Sequence, residues 1–89
     1  MLRIDLVPSL DSCIETVARR EYQEAKARLL AGEADEELQQ RVELLRMFLE
    51  TMDFRELRKQ SEVHLAAGKR VKFTVYLHKG RPQYRLHLA

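Results

Sequence analysis

Residues 71–88 alternate in polarity on both sides of a glycine- and proline-marked break, which restricts the C-terminal part of the chain to a β-hairpin. Val71, Phe73, Val75 and Leu77 alternate with Lys72, Thr74, Tyr76 and His78. After Lys79-Gly80-Arg81-Pro82, Tyr84, Leu86 and Leu88 alternate with Arg85 and His87. A side-chain period of two is the mark of a half-buried strand. Gly80 at the first central turn position suits a type II′ turn, with Pro82 at the mouth of the second strand. That register sets Tyr76 opposite Arg85, Thr74 opposite His87 and Val75 opposite Leu86. It also puts the apolar residues of both strands on one side, as a consistent pairing must.

Leu2, Ile4 and Leu6 alternate with Arg3 and Asp5 before Pro8 stops the run, predicting a short first strand. The period then lengthens. Leu10, Ile14, Val17, Ala18, Tyr22, Ala25 and Leu29 recur every three or four residues, as on one helix face. Ser9, Asp11 and Ser12 offer caps, and Ser12 with Glu15 has capping-box spacing. Gly32 supplies the stop. Glu21 falls inside the apolar stripe by angle, and if buried it needs a cationic partner. A second helix starts near Asp35, with Glu36 and Glu37 at its positive end and a stripe of Leu38, Val42, Leu45, Leu49 and Met52. Unbroken from Asp35 to Ala67 it would be roughly 50 Å long, against about 30 Å for the first helix. Asp53 and Glu56 again have capping-box spacing, so a kink or break is expected around Thr51–Asp53, with a third helical piece ending at Gly68.

The order β-α-α-β-β predicts a two-layer α+β fold. A helical hairpin, its second helix broken near Thr51–Asp53, packs on one face of a three-stranded, mainly antiparallel sheet. The first strand can pair beside either of the other two. Eighty-nine residues make one small domain, 1–89, that buries only about 60–65% of its unfolded surface, so burial against a partner would matter. With 45% hydrophobic and 34% charged residues the chain reads as folded, not disordered. Its start is too short and too charged for a signal peptide, and no apolar run approaches membrane-spanning length. A single cysteine forms no internal disulfide, which makes the cytoplasm the expected compartment.

Charge is distributed unevenly. All 14 acidic residues lie at or before Glu62, while Lys69, Arg70, Lys72, Lys79, Arg81, Arg85 and the three histidines His64, His78 and His87 lie beyond it. Such a split points to an anionic partner for the basic part. The sheet face away from the helices would present Arg3, Asp5, Lys72, Thr74, Tyr76, His78, Arg85 and His87, with Lys79 and Arg81 at the hairpin tip. Arg3, Lys72, Tyr76, His78, Arg81, Arg85 and His87 are therefore the candidate surface for that partner. Cations around a ring can hold a phosphate backbone while the ring stacks on a base, so an RNA- or DNA-binding domain is the alternative. Against it, Tyr76 is the only ring on that face, and the same residue types suit the wet side of any antiparallel sheet.

Leu44, Met47 and Phe48 extend the second helix's apolar arc past half its circumference, which predicts an interface with a second copy or packing beneath the third helical piece. Catalytic chemistry is hard to find. Cys13 at the edge of an apolar face reads as a small hydrophobe. His64, in the last helical turn, suits the helix's negative end. His78 and His87 lie about 13 Å apart in the predicted register, too far to share a metal ion. No phosphate loop, Cys-x-x-Cys or nucleophile elbow occurs. The chain therefore reads as a small, self-associating, non-enzymatic interaction module without cofactor or metal. The remaining alternative is a purely structural or regulatory subunit.

Overall fold

The computed structural model describes residues 2–33 and 35–89. Its elements run β1 (Arg3–Leu6), α1 (Ile14–Leu30), α2 (Glu36–Thr51), α3 (Phe54–Ala66), β2 (Val71–His78) and β3 (Arg81–Leu88). The strands form one open antiparallel sheet in the order β1-β2-β3, and the helices pack on one of its faces, giving the expected two-layer α+β fold. β1 lies beside β2, with Ile4 opposite Val75 and Leu6 opposite Phe73. Pro82 favours this order, because a residue without an N–H belongs on an edge strand. The core gathers Ile4 and Leu6, Ile14, Val17 and Ala18, Leu44, Leu45 and Phe48, Leu57, and Val71, Phe73 and Val75.

The hairpin departs from the predicted register. Tyr76 pairs with Gln83, Thr74 with Arg85 and Val75 with Tyr84, a slip of two residues that leaves every side chain on its predicted face. The loop is Lys79-Gly80, with φ of 53° and 75°. Positive φ at both central residues is the type I′ arrangement, not type II′. Pro82 is the reason. In the predicted register Lys79 and Pro82 would close the loop, and a closing pair exchanges backbone hydrogen bonds, one of which proline cannot donate. His78 and Arg81 close it instead, and Pro82 falls opposite Leu77 in a pair that needs no such bond.

α1 begins later than its apolar spacing suggests, leaving Leu10 outside the helix and 71% exposed. None of the three predicted caps is used. The Ser9 hydroxyl accepts from the Ser12 amide at 3.0 Å in a local turn, and Cys13 takes the N-cap position without a side-chain capping bond. At the other end the Gly32 and Glu33 amides bond back to Leu29 and Arg28, and α3 closes the same way through Gly68 and Lys69. The expected break is present. α2 stops at Thr51, and Asp53 caps α3 by accepting from the Arg55 and Glu56 amides at 3.1 and 3.4 Å. Phe48 and Phe54 meet edge to face across the break, with ring centroids 5.6 Å apart.

The buried side of α2 differs from its predicted stripe. Leu38, Leu44, Leu45 and Phe48 are buried, whereas Val42, Leu49 and Met52 are only half-buried. α2 packs on α1 as well as on β3 and β2, so its wide apolar arc is used up inside the chain. Leu44 is 1% and Phe48 0% exposed, and Met47 is half-buried. Of the flank expected to meet a second copy or to pack beneath the third helical piece, Leu44 and Phe48 are thus enclosed by the monomer's own elements, while Met47 keeps part of its surface in water. Glu21 does find its cation: Arg41 Nη2 lies 3.2 Å from Glu21 Oε2, joining α1 to α2 where both side chains still reach water.

Candidate functional site

Strand parity and register bring Arg3, Asp5, Lys72, Thr74, Tyr76, His78, Arg85 and His87 around one shallow concavity of about 430 Å³ on the uncovered face of the sheet. These are the eight residues that alternation assigns to that face. Of the seven predicted ligand residues, six line the concavity. Arg81 does not; it pairs with His78 at the hairpin end. Tyr76 is half-buried and the other five lining residues of that set are exposed.

The cross-strand pairings decide which of these groups meet. Arg3 stands opposite Tyr76 from β1. Arg85 stands opposite Thr74 from β3 and reaches diagonally to Tyr76, its guanidinium carbon 5.7 Å from the ring centroid. The ring thus has an arginine-bearing strand on either side. Lys72 faces His87 directly. His78 and His87 end up farther apart than expected, about 20 Å along the sheet in the observed register, so they cannot hold one small ligand together.

Asp5 is the only carboxylate in the lining. Thr74 Oγ1 donates to Asp5 Oδ1 at 2.8 Å, and Lys72 Nζ lies 4.0 Å from Asp5 Oδ2. Thr74 is 8% exposed, so this pair forms a polar floor already satisfied by its own hydrogen bond. The ligand set drawn from the sequence omitted both residues. Their pairing becomes visible only once β1 is placed beside β2. Arg3 and Arg85 make no ion pair among the described residues.

A second cluster surrounds the start of α1. Cys13 Sγ lies 3.3 Å from Thr16 Oγ1. The Thr16 hydroxyl and then its amide hold the Cys13 thiol below its ordinary pKa, outweighing burial, and the Glu15 amide and the Arg58 charge act in the same direction. Cys13 is half-buried there, beside Met52, Phe54, Arg55 and Arg58. Among the described residues no three His, Cys, Asp or Glu side chains gather as a metal-ligand set, and no helix is long and apolar enough to cross a membrane.

A family model matches residues 1–82, and the chain belongs to that family. No curated protein and no solved structure matches the chain.

Proposed function

We propose that this member of the family spanning residues 1–82 is a non-enzymatic binding module that holds an anionic partner on its open sheet face. The observation that carries the reading is the concavity itself. Arg3 stands opposite the Tyr76 ring and Arg85 lies over it, neither paired with a carboxylate among the described residues, while the lining's single carboxylate, Asp5, is already bonded to Thr74 and lies 4.0 Å from Lys72. Cations left without carboxylate partners on an exposed face raise the local concentration of anions and steer their approach. A lone cysteine fits a reducing compartment such as the cytoplasm.

A nucleic-acid strand is the second reading, supported by the placement of Arg3 and Arg85 on the two strands beside Tyr76. It has less support, because one face of the only available ring is already covered by the Arg85 guanidinium.

Titration of the whole chain with polyglutamate, heparin and single-stranded oligonucleotide, at low and moderate salt, tests the proposal. Binding that weakens steeply with salt is expected, by about one log unit per log of salt for each phosphate neutralised in the nucleic-acid case. Absence of binding by every polyanion at low salt overturns it.

A further inference from the structure

We infer that the anionic partner is an extended acidic polypeptide segment that adds to the sheet as a fourth strand along β3. This rests on the open face being the binding surface, and it names what binds there. β3 is the long free edge of the sheet, eight residues against the four of β1. His78 and Arg81 close the hairpin, so Arg81, Gln83, Arg85 and His87 turn their backbone groups toward β2. Tyr84, Leu86 and Leu88 therefore point their N–H and C=O groups outward, and Pro82 contributes a carbonyl alone. Among the described residues no loop or helix backbone bonds to these outward groups. Such a row is a template for an incoming strand, which gains main-chain hydrogen bonds along it.

The side chains specify the chemistry of that strand. On the open face β3 presents Arg81, Gln83, Arg85 and His87, with no carboxylate among them. On the helix side it presents Tyr84 and Leu86, half-buried, and Leu88, 45% exposed. A strand laid along this edge places alternate residues on the two sides. Acidic side chains then meet Arg85 and its neighbours, and apolar ones extend the strip begun by Leu86 and Leu88.

Charge also counts against a second copy. Antiparallel self-pairing at the free groups of β3 sets Arg85 opposite Arg85 of the other chain where Tyr84 faces Leu86, and opposite Arg81 where Tyr84 faces Pro82. Like cations directly opposed destabilise a strand pair, and edge cations are a common device against self-addition. A nucleic acid offers no ladder of N–H and C=O groups for the edge to bond.

Amide exchange followed by NMR on the full chain tests the inference, with a peptide of alternating glutamate and valine as the probe. The same peptide N-methylated at alternate residues, so that its bonding edge is blocked, is the control, and oligothymidylate is the competitor. Exchange at Tyr84, Leu86 and Leu88 is expected to slow at least about tenfold with the plain peptide. The N-methylated peptide should bind at least about tenfold more weakly. If the plain peptide shifts Arg85 and Lys72 resonances yet leaves the edge amides exchanging as before, strand addition is wrong while the basic face stands. Tighter binding of oligothymidylate, with shifts centred on Tyr76, makes nucleic acid the occupant and overturns it. Edge protection without peptide, together with a doubled solution mass, makes a second copy the occupant and also overturns it. If no anion perturbs the face, the face reading and the inference fall together.

Discussion

The Arg85 guanidinium lies over the Tyr76 ring, its carbon 5.7 Å from the ring centroid, although the two residues are not direct cross-strand partners. The diagonal arises because Arg85 pairs with Thr74, two residues from Tyr76 along β2, and long side chains reach diagonal neighbours on a sheet. Arg85→Ala is expected to cost no more than about 1 kcal/mol of stability, the scale of an exposed cation–π contact. Binding of polyglutamate should fall far more than that change in stability would suggest. Denaturant titration and binding titration on the same variant separate the two effects. A variant that unfolds but still binds when folded would remove Arg85 from the surface.

Leu44 is buried in the monomer, so Leu44→Ala should destabilise the chain by about 2–5 kcal/mol, the range for deleting a core leucine. Small domains have only about 5–15 kcal/mol in total, so this variant should sit near unfolding at ambient temperature. Urea unfolding measures it. A midpoint that instead shifts with protein concentration would return Leu44 to an interface between copies.

Lys79 holds a φ of 53°, a left-handed conformation that disfavours a branched-off Cβ, and Gly80 follows at 75°. Lys79→Asn creates the Asn-Gly pair preferred in type I′ turns. It should raise stability by about 0.5–1 kcal/mol, or a few degrees in Tm for a domain of this size. Thermal unfolding checks it, and an unchanged or lower Tm would contradict the observed loop.

The thiol of Cys13 is held below its ordinary pKa first by the Thr16 hydroxyl. A lowered pKa means more thiolate at any pH beneath the ordinary value, and thiolate is the reactive form. Iodoacetamide should therefore alkylate Cys13 faster near neutral pH than it does an unfolded control. Thr16→Val should slow that reaction and move its pH midpoint upward. Equal rates in the parent and the variant would show that the hydroxyl does not act on the sulfur.

The hairpin shows how local chemistry can be present in a sequence and still be misread. Placing Gly80 first in the loop satisfied the turn and the face pattern together, because a slip of two residues preserves parity. Pro82 discriminates between the two registers: its missing N–H excludes it from a loop-closing pair, and the same absence assigns β3 to an edge. The open face was legible for a related reason. Arg3, Lys72, Tyr76, Arg85 and His87 needed only their odd or even position to be placed there. The Asp5–Thr74 bond was not legible, since it joins residues 69 apart whose strands could be ordered in two ways.

Residue order sufficed to assign inside and outside for each strand and to mark the break before Asp53, because side-chain direction and capping are set by the backbone's own period over a few residues. The arc of α2 that would be buried was not contained in that period. A helix that packs on both α1 and the sheet buries what both neighbours touch, so Leu44 and Phe48 went into the core while Val42 and Leu49 stayed half in water. The cap of α1 and the place of β1 depended likewise on contacts between segments distant in the chain or on a competing turn, which no single stretch specifies.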